Sequence, residues 1–245
     1  MPEYAMLSQI GNRTINEDRV RVAEADGASL YILCDGLGGH AGGDVAAETA
    51  TAYAADLFKA RGSYPALLDD IFCGAQEEIK RLQAQRGAEA LRTTMTVLLL
   101  TPEFARWGNI GDGRLYRFFM NGTRFERTKD HSHVQKMADT GEIEERQIRN
   151  HPERFKLYST LGSVWKPKKN YDLSPILELD GEPEPFLLAT DGFWELVSEK
   201  EMMQTLRETK SAKAWLTAMR GIVEERGADR EMDNYSAICI RNSED

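Results

Sequence analysis

Short runs in which apolar residues alternate with polar ones fill the outer thirds of the chain, and longer stretches with apolar residues at helical spacing come in two pairs between them. The short runs predict strands over Tyr4–Ser8, Arg19–Ala23, Ser29–Cys34, Thr94–Leu100, Ala105–Ile110, Leu115–Phe119, Pro175–Leu179, Pro185–Thr190 and Tyr235–Ile240. Turn dipeptides such as Asp26-Gly27, Asn121-Gly122 and Asp180-Gly181 link many of them, which favours antiparallel pairing. The helical stretches are Asp44–Arg61 and Tyr64–Arg86 early, and Glu199–Glu208 and Ala212–Glu225 late. Locally paired strands with helices inserted in pairs describe an α+β layered fold, not regular βαβ alternation.

Between His131 and Asn170 the chain turns polar and charge-rich, with short helical pieces such as His133–Asp139 and no convincing strand. A long irregular insertion in a compact domain usually serves function or is disordered. With no linker, repeat or low-complexity tract, residues 1–245 read as one domain carrying a flap-like insertion at about 133–170. The insertion mixes acids with cations such as Arg149, Arg154 and Lys156, a composition expected to contact a charged partner and not to fill a core.

A hydrophobic fraction of 41% over 245 residues is enough for a sizeable core. A net charge of −9 argues against broad binding to nucleic acid or to anionic lipid. The start Met1-Pro-Glu-Tyr4 has no basic and apolar leader pattern, and the apolar runs are far too short to span a membrane. Cys34, Cys73 and Cys239 form no C-x-x-C pair and are expected to be buried thiols of a reducing compartment, which points to the cytoplasm.

Six acids, Glu17, Asp18, Asp35, Asp112, Asp191 and Asp233, each lie in a glycine- or asparagine-rich break beside an apolar run. Carboxylates at strand ends are hard oxygen ligands and favour Mg²⁺ or Mn²⁺ over zinc; no histidine pair has zinc-ligand spacing. Gly36-Leu-Gly-Gly-His-Ala41 also fits the dinucleotide pattern G-x-G-x-x-A, but a second helix follows where a parallel strand would be needed. Covalent phosphate chemistry fares no better. Six residues after each cysteine stand His40, Ile79 and Asp245 instead of arginine, and Leu37 stands where an aspartyl-phosphate enzyme would carry a second aspartate. There is no G-x-x-x-x-G-K-[ST] loop, so metal-activated water is the chemistry that remains.

Arg13-x-x-Asn-Glu-Asp18, Asp35-Gly-x-Gly-Gly-His40-x-Gly42, Thr93-Thr94, Gly108-Asn-x-Gly-Asp112-x-Arg114, Thr128-x-Asp-His-Ser132, Ala189-Thr-Asp-Gly192 and Asp233-Asn234 follow one another along the chain. In order and rough spacing they resemble the motifs of metal-dependent type 2C (PPM) serine/threonine protein phosphatases, with the compact bacterial branch as the nearest match. The resemblance implies a four-layer αββα fold: a central sandwich of two antiparallel sheets flanked by helix pairs, with a binuclear Mn²⁺ or Mg²⁺ centre at one end. It implies that Asp35 bridges two ions, that the Gly36 carbonyl binds one of them, and that Asp191 and Asp233 hold the other. Glu17 and Asp18 would orient waters on the ions, Asp112 with Asp191 would hold a third, weaker ion, and Arg13 would clamp the substrate phosphate. Asn234, Thr128 and His40 would support these groups from behind.

Two positions depart from the family pattern. Leu37 replaces a histidine proposed as general acid in animal members, and Gly113 replaces the usual serine. The implied activity is hydrolysis of phosphoserine and phosphothreonine on proteins, in a monomer that opposes a bacterial serine/threonine kinase or serves secretion-system control. A catalytically weak relative that binds phosphoproteins as a scaffold is the alternative, and it would be expected to have lost Asp35, Asp191 or Asp233; all are present.

Overall fold

The computed structural model describes residues 2–37, 42–88, 90–119, 123–167, 170–181 and 184–241. Its first sheet is antiparallel, in the order β1 (Glu3–Gln9), β13 (Tyr235–Arg241), β12 (Phe186–Ala189), β8 (Arg114–Phe118) and β9 (Phe125–Arg127). The second runs β10 (Asp172–Leu173), β7 (Phe104–Ile110), β6 (Met95–Leu100), β3 (Ala28–Cys34) and β2 (Arg19–Ala25), with β11 (Leu177–Glu178) also on β7. A separate two-stranded antiparallel ladder pairs β4 (Gly36–Leu37) with β5 (Arg92–Thr93).

Burial explains why the central strands read as continuous apolar runs. Along β3, Tyr31 and Leu33 point between the two sheets, while Leu30, Ile32 and Cys34 pack beneath the helix pair α1 (Gly43–Arg61) and α2 (Leu67–Arg86). Along β13, Ile238 and Ile240 join the same inter-sheet layer, and Ala237 and Cys239 pack against α5 (Glu199–Glu208) and α6 (Ala212–Gly227). Strands covered on both faces need apolar residues at successive positions. Each buried Phe58, Phe72 or Leu30 contributes roughly 1.5–3 kcal/mol. The result is the αββα layering that the resemblance implies.

Caps set the helix boundaries. Ser198 and Glu201 close a reciprocal capping box on α5, and Ser211 accepts from the Ala214 amide at the start of α6. The predicted helix from Tyr64 begins three residues later, because Tyr64 and Pro65 form the turn in which Leu67 N donates to Tyr64 O. Strands β4, β5, β9 and β10 were not anticipated; each is two or three residues long and carries no readable alternation. Cys34 and Cys239 are buried as expected, but Cys73 is exposed on α2 with Sγ 3.6 Å from the Tyr171 hydroxyl. None of the helices among the described residues is long and apolar enough to cross a membrane.

The insertion is tied to the body of the protein. α3 (His133–Asp139) forms as the pattern predicts, and bridges join Ser132 to Leu157 and Thr93 to Leu161. Ile148 and Leu161 are buried, while Gly162 N donates to Gln76 Oε1 at 2.6 Å and Gly162 O accepts from Gln83 Nε2 at 2.8 Å. Arg149 bonds to Val197 O at 3.0 Å and to Glu199 at 2.6 Å, Arg154 pairs with Glu195, and Lys156 pairs with Glu153. The cations expected to meet a partner are therefore engaged by this chain's own acids. Lys168 and Lys169 lie outside the described residues.

Candidate metal centre

The site is built where β3, β7, β12 and the approach to β13 end together. At the end of β3 the main chain of Asp35 is held on both sides: its N–H donates to Thr94 Oγ1 at 3.0 Å, and its carbonyl accepts from Thr94 N at 2.8 Å and Thr93 Oγ1 at 2.9 Å. Asp191 opens the short helix α4 (Asp191–Trp194) directly after β12. Asn234 ties the loop before β13 to the N-terminal loop. Its Nδ2 donates to Ile10 O at 2.8 Å and Ile15 O at 3.1 Å, and its Oδ1 accepts from Glu17 N at 2.8 Å. Gly192 is required beside it, because a Cβ there would overlap the Asn234 carbonyl. The Asp112 turn is fixed by Trp194 Nε1, which donates to Asp112 O at 3.0 Å; Arg114 stacks 3.5 Å over the same indole and forms a buried bidentate pair with Asp130.

These turns surround one cleft of about 270 Å³, whose walls include Arg13, Glu17, Asp35, Gly36, Asp112, Asp191, Asp233 and Asn234. Arg13 Nη2 donates to Asp233 Oδ2 at 2.9 Å across the rim. The acids strain against one another electrostatically. Burial pushes Asp35 and Asp112 well above the usual carboxylate range, and neighbouring aspartates push in the same direction. Asp191 is raised to about 6 by burial and by the charge of Asp233, and Glu17 is raised by burial and by Asp44.

Asp18 does not line the cleft. It lies 2% exposed beneath it, with Oδ2 accepting from Thr190 Oγ1 at 3.0 Å, and burial lifts it to about 7. Its other oxygen, Oδ1, and Glu17 Oε1 are buried and make no hydrogen bond of normal geometry to the described residues. Buried oxygens short of hydrogen bonds and carboxylates that resist ionisation both call for added positive charge or ordered water. The donor set fits Mn²⁺ or Mg²⁺, since among the described residues the cleft offers oxygen atoms and no histidine or cysteine. Among the described residues no three His, Cys, Asp or Glu side chains close a ligand sphere alone. Hard cations of this kind retain coordinated waters beside their carboxylate ligands.

Thr128 also stands away from the cleft. Its Oγ1 accepts from Leu115 N at 3.0 Å, and the strand it begins to leave delivers His131, whose N–H donates to Gly111 O at 2.7 Å and so braces the Asp112 turn. His40 lies outside the described residues. Sequence reasoning missed Thr190 as the partner of Asp18, and Phe155 and Leu157 as cleft walls. Thr190 adjoins the Asp191 motif and was within reach of the motif reading. Phe155 and Leu157 come from the insertion and carry no local signal.

A family model for protein phosphatase 2C matches residues 7–235. The chain belongs to the protein phosphatase 2C family. This phosphatase 2C chain is 30% identical over 207 residues to the serine/threonine phosphatase stp of Listeria welshimeri, covering 80% of this chain and 79% of the relative. The solved catalytic domain of the serine/threonine protein phosphatase PstP, in complex with two manganese ions, superposes with a TM-score of 0.80 at 25% identity, over 97% of this chain and 96% of that one. PppA of Pseudomonas aeruginosa, described as a key regulatory component of T6SS, gives a TM-score of 0.77 at 25% identity over the same shares of the two chains. The type 2C fold and family expected from the motifs are thus established for this phosphatase 2C chain.

Proposed function

We propose that the chain hydrolyses phosphoserine and phosphothreonine on proteins in a cleft that holds two Mn²⁺ or Mg²⁺ ions. One observation carries the reading: Glu17, Asp35, Asp112, Asp191 and Asp233 share a single cleft with Arg13 at its rim, above the buried carboxylate of Asp18. When bound, the ions supply Lewis acidity and a water acidified enough to attack phosphorus near neutral pH.

The chain's own groups do the rest. Asp35, the Gly36 carbonyl, Asp191 and Asp233 would hold the two ions. Glu17 and Asp18 would accept hydrogen bonds from waters, and Asp112 with Asp191 would hold a third, weaker ion. Arg13 binds the phosphoryl oxygens through its planar fork and stabilises the charge that accumulates on them. Leu37 contributes an aliphatic wall, so no side chain at that position protonates the leaving group.

The family places the activity on phosphoproteins, and the proposed setting is the cytoplasm, opposite a serine/threonine kinase, with the chain as a monomer. Likeness to PppA supports secretion-system control as a candidate pathway. The test is hydrolysis of p-nitrophenyl phosphate and a phosphothreonine peptide by stripped protein. Activity should return with Mn²⁺ or Mg²⁺ and stop with chelator; full activity after exhaustive chelation, or with zinc alone, would overturn the reading.

A further inference from the structure

A corridor leads away from the acidic cleft and carries none of its acids. Leu37, Phe155 and Leu157 wall the metal cleft and also a second space of about 540 Å³, which extends to Arg92. Arg92 in turn borders a third space of about 510 Å³ that contains Lys80 and Gln83. The shared side chains place the three spaces next to one another along one face.

Charge distinguishes the outer two. The chain has a net charge of −9, yet among the described residues no aspartate or glutamate lines either outer space. Arg92 is exposed there, and its guanidinium has no hydrogen-bond or ion-pair partner among the described residues. Lys80 Nζ is aimed by Gln83 Oε1 at 2.9 Å. Gln83 is itself 7% exposed and anchored by Nε2 to Leu91 O and Gly162 O, both at 2.8 Å, so the floor of the far space is a built structure.

The antiparallel pairing of β4 with β5 fixes the distance. It pairs Leu37 with Arg92 and Gly36 with Thr93, next to Asp35. Facing residues of an antiparallel pair stand about 5 Å apart, and two residues of strand span about 7 Å. The Arg92 backbone therefore lies within about 12 Å of Asp35 along this path. An extended polypeptide advances about 3.3 Å per residue, so the Arg92 side chain meets one about two to four residues from the phosphorylated position.

We propose that this corridor seats the substrate polypeptide on one side of its phosphorylated residue and selects acidic side chains there. Phe155, 63% exposed, and Leu157 pack against the residue adjoining the phosphorylated one. Arg92 then pairs with an acidic side chain about two to four positions away, and Lys80 with one further out. The inference rests on the phosphoprotein phosphatase reading above.

Phosphothreonine peptides carrying either aspartate or lysine two to four positions from the phosphothreonine, on each side in turn, test it. On one side the Mn²⁺-loaded protein should favour the aspartate peptide in kcat/KM by about fivefold or more. Arg92→Glu with Lys80→Glu should reverse that preference, and Arg92→Gln should abolish most of it, with p-nitrophenyl phosphate turnover unchanged in every variant. Equal use of aspartate and lysine peptides by the unaltered protein would overturn the proposal, as would a preference that survives the double replacement or a parallel loss on p-nitrophenyl phosphate. Failure of the unaltered protein to hydrolyse any of these esters with Mn²⁺ would instead overturn the phosphatase reading beneath it.

Discussion

Arg13 Nη2 donates to Asp233 Oδ2 across 2.9 Å, so the proposed phosphate-binding cation and a proposed metal ligand share one ion pair. The two side chains are 60% and 47% exposed, and a pair so open to water contributes less than about 1 kcal/mol. A phosphate group and a cation together can therefore separate the partners at small cost. Arg13→Ala should lower kcat/KM for p-nitrophenyl phosphate by about 10–100-fold, equivalent to about 1.5–3 kcal/mol, chiefly through KM. Steady-state kinetics beside a melting curve check this; an unchanged KM, or a large loss of stability, would show that Arg13 serves the fold instead.

Asp35 and Asp191 are raised by burial, so their negative charges burden the metal-free fold while serving the loaded one. Asp35→Asn and Asp191→Asn should each lower kcat by about a hundredfold or more with Mn²⁺ saturating. The same variants should melt no lower, and at pH 8 higher, than the unaltered protein when both are chelated. Differential scanning calorimetry with turnover assays separates the two effects. Near-normal turnover in Asp35→Asn would remove it from the bridging role.

The same burial predicts a pH response. Burial pushes Asp18 up to about 7 and Asp191 up to about 6 in the fold, from 3.8 for an unperturbed aspartate. The folded state thus binds these protons more tightly than the unfolded chain. Their stabilising contribution is full below about pH 4 and is lost as pH rises through 6 and 7. Chelated protein should melt several degrees lower at pH 8 than at pH 5.5, and saturating Mn²⁺ should narrow or reverse that difference because ions and protons compete for the same oxygens. A melting point for the chelated protein that rises over this interval would contradict the assignment.

Arg154 pairs with Glu195 and Arg149 with Glu199, which fastens the insertion beside α4 and α5. Arg154→Glu should place a like charge against Glu195 and destabilise the protein by about 1–3 kcal/mol, with parallel losses on peptide and p-nitrophenyl phosphate. Urea denaturation and the two assays check this. Loss confined to the phosphopeptide would restore Arg154 to a role in substrate contact.

How much of this was legible in the sequence depended on whether the signal was local. The strands β3, β6 and β13 announce themselves because both faces are buried, and α5 begins where Ser198 and Glu201 say it should. The two-residue strands β4 and β5 have no pattern to read, yet their pairing sets Arg92 against Leu37 and shapes the corridor. At the site, the acids were found through turns next to apolar runs. That Asp18 sits beneath the cleft, and that Phe155 and Leu157 wall it, are products of tertiary folding. The pairs that Arg149 and Arg154 make are not legible in sequence either, because Glu199 and Glu195 are some forty to fifty residues away along the chain.

The central claim is that these oxygens hold two ions around Asp35. Anomalous scattering from crystals soaked in Mn²⁺, with Asp112→Ala alongside the unaltered protein, tests it most directly. Two strong peaks should flank Asp35, one of them also reached by Asp191 and Asp233, and both should persist in Asp112→Ala while any third, weaker peak disappears. Peaks that avoid Asp35, or the loss of both strong peaks in Asp112→Ala, would contradict the account.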